Sequence, residues 1–443
     1  MSSVVIPEHP PFTLRARLLS PLADGGTLWL TDGIVEVDDG GRMRHVGAAA
    51  DAPRSAETAI DLRPFVVMPG MVDTHVHIPQ VPAAGLGAGM DLLAWLDRYV
   101  FPLERAFDMA AAADLAPKVY RAMAAAGTTT IAAYAAIWPD STDACFRAAE
   151  AHGIRATIGA VLMDRVTYDD RTPPGDILEH AIRASGELCE RWHGAADGRL
   201  RYAFTPRFAV SCTADMLRES ASLAEHYGAI WQTHLSEDAH EMEMVAGHFP
   251  ETLDYLDVYD RAGGLGHKAL FAHAIHLSER EVARMTETDS AVAHCPVSNM
   301  FIRSGVMPLR RYQEAGLRIG LGTDVAGAPE LSVIAQMRLG FFQHNSRATI
   351  VGDEASVPDP FEWIRLGTLG GAEALGLDDV IGSLEPGKEA DLIAIDLDRC
   401  RPPNAGPGNS VDEVASRLVF RERPDMVRAA WVRGRRLEGP PLA

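Results

Sequence analysis

From about residue 65 onward, short apolar runs alternate with stretches of helical periodicity. Phe65-Val66-Val67-Met68 comes first. Thr129–Tyr134 leads into an Ala-rich helix near residues 141–152, Arg155–Val161 into one near 175–193, and Leu200–Thr205 into one near 213–227. Ala229–Thr233, Ala269–Ala272, Ala291–His294 and Arg318–Thr323 complete the set. Runs of this length, set between helices, read as strands buried on both faces. Eight of them in βα alternation are the number that closes an α/β fold of the (β/α)8, TIM-like barrel type. The two chain ends read differently. Thr27–Leu30 and Gly33–Val37 lie between turns at Asp24-Gly25-Gly26 and Asp39-Gly40-Gly41, and Asp391–Ile395, Met426–Val432 and Gly434–Arg436 form a similar set at the far end. The ends are expected to pair into one small β domain, residues 1–64 with 386–443, around a barrel of residues 65–385.

A chain of 443 residues suits one large barrel with a smaller domain. Its hydrophobic share of 47% and charged share of 23% are those of an ordinary globular protein. Net charge is −20, from 61 acidic and 41 basic residues, which acts against nucleic acid or an anionic membrane as partner. A small neutral substrate, or a nucleobase without its phosphates, fits that balance. The five cysteines are scattered with no C-x-x-C pair, so neither a disulfide framework nor a cysteine zinc site is expected. Residues 1–8 lack a basic region followed by an apolar core, and no run approaches the roughly 18 apolar residues of a membrane span. A soluble, cytoplasmic protein is the expectation. Gly85-Leu86-Gly87-Ala88-Gly89 lacks the spacing of a dinucleotide fingerprint and reads as a loop.

The candidate chemistry sits at the ends of the apolar runs. His75 and His77 are spaced i, i+2, so on a strand both imidazoles share one face. Ala229–Thr233 delivers His234, Ala269–Ala272 delivers His273, and Arg318–Thr323 delivers Asp324. In a (β/α)8 barrel these positions converge on the active-site face. Imidazoles and a carboxylate suit a divalent metal, zinc above all, with iron(II) also compatible. One zinc held by His75, His77, His234 and Asp324 would lower the pKa of a water to about 7. Glu237, three residues past His234, is placed to carry a proton from water to substrate. His273 could be a ligand or a hydrogen-bond partner of the nucleophile, and Asp324 could both bind metal and accept a proton.

Several blocks resemble the amidohydrolase superfamily and, within it, the guanine deaminase family. They are Pro69–Gln80, Leu93–Leu96 with Tyr99–Glu104, Thr205-Pro206-Arg207-Phe208, Leu253–Asp260, His294–Asn299, Gly320–Gly327 and Leu369–Leu392. The resemblance implies zinc on His75, His77, His234 and Asp324, proton transfer by Glu237 with His273 and Asp324 assisting, and a purine base held by Gln80, Arg207 and Phe208, with His234 and Glu237 also touching it. The implied reaction is hydrolytic deamination of guanine to xanthine and ammonia. A homodimer is also expected. An aromatic face, an amide and a guanidinium fork are what a planar base with a ring carbonyl needs. Pro329 and Asp238 depart from the family pattern, so a related amino-heterocycle such as 8-oxoguanine, isoguanine or a pterin stays open as the substrate. No lysine stands at the strand ends before Thr205 or His234, unlike the binuclear cyclic amidases, and a non-catalytic scaffold would not keep all these residues.

Overall fold

The structure is a computed structural model that describes residues 5–352, 357–408 and 410–439; Met1–Val4, within the segment read as no secretory signal, lie outside it. Four strands open the chain: β1 (Phe12–Pro21), β2 (Thr27–Val37), β3 (Met43–Ala48) and β4 (Ile60–Pro69). The next nine are β5 (Met71–His77), β6 (Thr128–Tyr134), β7 (Arg155–Gly159), the short β8 (Val161–Leu162), β9 (Leu200–Pro206), β10 (Ile230–Leu235), β11 (Ala269–His273), β12 (Ala291–His294) and β13 (Arg318–Leu321). The last three are β14 (Leu392–Ile395), β15 (Val427–Val432) and β16 (Arg435–Arg436). Both chain ends do form one sheet, in the order β16-β15-β14-β4-β1-β2-β3. The barrel strands pair in the order β5-β6-β7-β9-β10-β11-β12-β13, with β8 beside β9. Helices Pro139–His152, Ile177–Trp192 and Ala214–Tyr227 lie where periodicity predicts them. Among the described residues, no helix is long and apolar enough to cross a membrane.

One strand assignment needs correction. Phe65–Met68 is not the first barrel strand; it belongs to β4, which pairs antiparallel with β14 and parallel with β1 in the seven-stranded sheet. It reads as a continuous apolar run because both of its faces are covered. Val67 packs with Leu14, Leu18, Leu392 and Trp431 in the small domain's own core. Val66 and Met68 face the other way, into the main core that includes the barrel's helices. The first barrel strand is β5, whose Asp73, Thr74, His75 and His77 are polar yet buried. Similarly, Thr27–Leu30 and Gly33–Val37 are one strand, with a bulge where the β1–β2 register shifts between Ala16 and Leu18.

Closure of the barrel joins β5 to β13. Asp73 accepts from the Thr323 N–H at 2.9 Å and its hydroxyl at 2.6 Å, and the Asp324 N–H donates to the His75 carbonyl at 2.8 Å. Gly322 makes the approach possible, since a Cβ there would stand 2.7 Å from His75 Cβ. Inside, Val72, Ala132, Ala203, Leu270, Ala272 and Ala293 fill the barrel, and Ala372, Leu375 and Leu377 plug the end at which the strands begin. The other end, where the strands finish, is left for polar side chains.

A buried ion network fixes the small sheet to the barrel. Arg155 on β7 donates to Asp391 at 2.8 Å and to Glu389 at 2.5 Å, and Arg433 shares Glu389 at 2.6 Å. Arg155 is 3% exposed, so its removal would leave the enclosed Asp391 without its guanidinium partner and Glu389 with one close countercharge fewer. Arg155→Ala should lower unfolding free energy by about 3–5 kcal/mol in urea titrations. A loss under about 1 kcal/mol, the scale of an exposed pair, would mean that water reaches this network.

Candidate active site

The barrel's open end gathers the residues expected there. His75 and His77 are on β5 itself, His234 is near the end of β10, His273 ends β11, and Asp324 lies just past β13. His75 Nε2 and His234 Nε2 each lie 3.2 Å from His77 Nε2. Asp324 Oδ1 is 3.3 Å from His75 Nε2 and 3.5 Å from His77 Nε2. Four donors about 2.0–2.1 Å from one ion in tetrahedral array stand roughly 3.3–3.4 Å apart. The observed separations match that spacing. The His234 tautomer agrees. His234 Nδ1 donates to the Arg207 carbonyl at 2.6 Å, which leaves Nε2 bare toward the other donors. Burial, then neighbouring histidines, holds both His77 and His234 well below the usual imidazole range, so both are neutral.

Glu237 and His273 stand beside this group. Glu237 Oε2 is 3.4 Å from His273 Nε2, which in turn lies 3.7 Å from Asp324 Oδ2. His273 Nδ1 donates to Asn299 Oδ1 at 2.9 Å, so its Nε2 is an acceptor aimed into the site. Burial lowers His273 to about 4. The two carboxyls are driven apart. Burial works to raise Asp324, but His75, His273 and a 2.6 Å hydrogen bond from Ser298 outweigh it and hold it down at about 2. Burial, then the charges of Asp324, Glu241 and Asp238, pushes Glu237 well above the usual carboxyl range. Such divergence marks an acceptor that stays ionised beside a group able to hold a proton. His273 and Asp324 have backbone φ of 70° and 49°, in the left-handed region that non-glycine residues avoid, so the fold imposes their placement.

A cavity opens from these groups and is lined by Gln80, Leu92, Trp95, Leu96, Arg207 and Phe208 as well as His77, His234, Glu237, His273 and Asp324. Every residue predicted for the site therefore reaches the cavity except His75, which is a donor behind it. Gln80 and Arg207 are buried, and Arg207 is also ion-paired to Glu104. The Gly-rich loop has a part in this wall: Gly87, at φ +85°, lies against the Trp95 ring, where a Cβ would approach Cδ1 to 2.5 Å.

The amidohydrolase family profile matches residues 66–437. The probable guanine deaminase of Deinococcus radiodurans is 38% identical over 391 residues, 86% of this chain and 87% of that one. The guanine deaminase of Escherichia coli is 36% identical over 76% of this chain and 74% of its own. The chain belongs to the guanine deaminase family of amidohydrolases. Among solved structures, guanine deaminase from C. acetobutylicum with guanine bound in the active site superposes with a TM-score of 0.89 at 25% identity, covering 96% of this chain and 99% of that one. A barrel with a small sheet from both chain ends is thus the shared architecture of a guanine deaminase relative and this chain.

Sequence reading missed the residues that hold this site from behind. Asn299 and Ser298 orient His273 and Asp324, and Glu104 joins Gln80 to Arg207. Glu241 accepts from the Glu237 and Asp238 N–H groups at 2.9 and 3.1 Å and from the Tyr255 hydroxyl at 2.6 Å. None has a ligand spacing of its own; Glu104, Ser298 and Asn299 lay inside blocks of resemblance, and Glu241 lay outside them. Burial, opposed by the hydrogen bonds to Tyr255 and the backbone, pushes Glu241 up to about 7. An unfolded glutamate titrates near 4.3, so between about pH 4.3 and 7 the native state keeps a proton that the unfolded chain sheds. The Glu241 contribution to stability is therefore full below that window and lost as pH rises through it. Glu241→Gln, whose carbonyl still accepts the two N–H groups, should remove up to about 1.4 kcal/mol per pH unit from the slope of stability there. Urea titrations across the window check this, and an unchanged slope would mean the native carboxyl is already ionised.

Proposed function

We propose that this protein hydrolyses guanine to xanthine and ammonia, using one divalent metal held by His75, His77, His234 and Asp324. The observation that carries the reading is that His77, His234 and Asp324, the buried carboxyl of Glu237, and the Gln80–Arg207–Phe208 wall all meet in one cavity, with His75 Nε2 3.2 Å behind His77 Nε2. Imidazole nitrogens and one carboxylate suit zinc best, with iron(II) as the alternative. A metal bound there supplies Lewis-acid activation of the attacking water.

The chain's own residues account for the rest. Phe208 offers an aromatic face to a planar base, and Arg207 offers donors to its ring carbonyl. As water oxygen bonds to C2, Glu237 takes the released proton and passes it to the adjacent ring nitrogen. A second proton from that oxygen goes to the amino group, which departs as ammonia with the C–N electron pair, leaving the carbonyl of xanthine. His273, neutral and tied to Asn299, presents Nε2 as a hydrogen-bond acceptor to the nucleophile. Asp324, held ionised, is the second acceptor beside it. With a divalent cation held by these donors, the carboxyl of Glu237 would be drawn back toward the range where it can both take and give a proton.

Purified protein should release ammonia from guanine, and Glu237→Gln should lower kcat by about 10⁴-fold or more while metal content stays unchanged. A variant keeping roughly a tenth of wild-type turnover, far above that range, would remove Glu237 from proton transfer. Parallel assays with 8-oxoguanine, isoguanine and a pterin decide the substrate; faster turnover of any of these than of guanine overturns the guanine assignment.

Elemental analysis should find about one zinc or iron per chain, in keeping with one set of four donors. A chelator should abolish activity and added metal restore it. Full activity in metal-free protein would refute the assignment of these four residues.

A further inference from the structure

Two cavity-lining side chains, Gln80 and Arg207, share one enclosed partner. Glu104, on the short helix Phe101–Ala106, is 0% exposed. Its Oε1 accepts from Gln80 Nε2 at 2.8 Å and its Oε2 from Arg207 Nη1 at 2.5 Å. A carboxylate paired with a guanidinium can only accept hydrogen bonds. The Gln80 amide is therefore not free to turn over. Its NH2 is engaged by Glu104, and its carbonyl Oε1 is left buried without a hydrogen-bond partner in the wall of the cavity. Arg207, beside it, can only donate. The guanidinium is held on a second side by the Phe101 ring, whose centroid lies 5.2 Å from its central carbon.

We infer that Glu104 is a positioning residue that sets the hydrogen-bond polarity of the base-binding wall, one fixed acceptor next to one fixed donor. A wall of that polarity fits a ring lactam, N–H beside C=O. It opposes the reversed edge, a bare ring nitrogen beside an amino group, because acceptor would meet acceptor and cation would meet donor. Guanine and hypoxanthine carry the lactam at N1 and C6; adenine carries the reverse. The substrate class is accordingly the amino-lactam heterocycle, a statement that rests on the guanine-deaminating reading only for the amino group to be displaced. Sites built to hydrogen-bond a ligand discriminate strongly because a mismatched ligand leaves buried polar groups unpaired.

Equilibrium binding to the metal-loaded enzyme separates this wall from the chemistry, since neither hypoxanthine nor adenine carries a 2-amino group. Wild type should bind hypoxanthine at least about 100-fold more tightly than adenine. Glu104→Gln keeps the shape but can donate to Gln80 Oε1, which releases the amide to turn its NH2 toward the ligand. In that variant hypoxanthine should weaken by about 10- to 100-fold while adenine stays level or gains, so the ratio narrows. Glu104→Asp, still a pure acceptor, should keep the ratio even where both affinities drop. Should Glu104→Gln fail to fold, Gln80→Leu serves instead, with hypoxanthine losing affinity and adenine not. Equal binding of the two bases by wild type, or an equal loss of both in Glu104→Gln, overturns the inference. Failure to release ammonia from guanine, with the hypoxanthine preference intact, would instead sink the proposed reaction and leave the wall's polarity standing.

Discussion

The seam between β5 and β13 is the constraint on which the site depends. His75 and His77 belong to the first barrel strand and Asp324 follows the last, so these donors meet only when the barrel closes. The seam is built from polar groups rather than from apolar packing alone. Asp73 spans it through two hydrogen bonds from Thr323, and burial pushes its carboxyl up to about 6. Gly322 removes the Cβ that would hold the strands apart. The same few residues thus complete the fold and fix the spacing of the donors, which is why β5 carries polar side chains through a position where packing alone would favour Val or Ile.

Electrostatics then divide the labour inside one small cavity. Two carboxyls near one another cannot both ionise freely in a buried site, and here their surroundings differ in kind. Asp324 has two imidazoles and the Ser298 hydroxyl; Glu237 has His273 on one side and the like charges of Asp324, Glu241 and Asp238 around it. The first is held as an anion, the second as a group that can carry a proton. The only enclosed cation in the wall, among the residues lining the cavity, is Arg207, and Glu104 balances it from behind.

Much of this was legible in the sequence because barrel strands end in side chains that packing does not need. His234, His273 and Asp324 each interrupt an apolar pattern at its end, and a polar residue at such a place asks for a chemical reason. The two-ended β domain was legible from turn chemistry. What escaped had a physical cause in each case. Phe65–Met68 looked like a barrel strand because a strand covered on both faces gives the same apolar run whichever sheet holds it. β5 was hidden by its own buried polar residues. Glu104, Glu241, Ser298 and Asn299 act on other side chains across the fold, and a contact between residues far apart in sequence leaves no spacing to read.

In the proposed reaction, recognition and chemistry are joined through a single residue. The Arg207 side chain faces the base cavity, while its backbone carbonyl accepts from His234 Nδ1 at 2.6 Å and from the His234 N–H at 3.2 Å. On the proposed reading, one residue therefore meets the far edge of the base and orients a metal donor on the near side. A base that seats against the guanidinium is registered against a framework that already includes His234, so its distance from the metal donors follows from how well it satisfies the wall. Phe101 and Glu104 extend that framework by pinning the guanidinium, and the Thr233 hydroxyl, which donates to the same carbonyl at 3.2 Å, extends it along β10. Positioning errors of about 1 Å can cost about 10²-fold in rate, so coupling of this kind turns a mismatch at the lactam edge into a loss of turnover as well as of affinity.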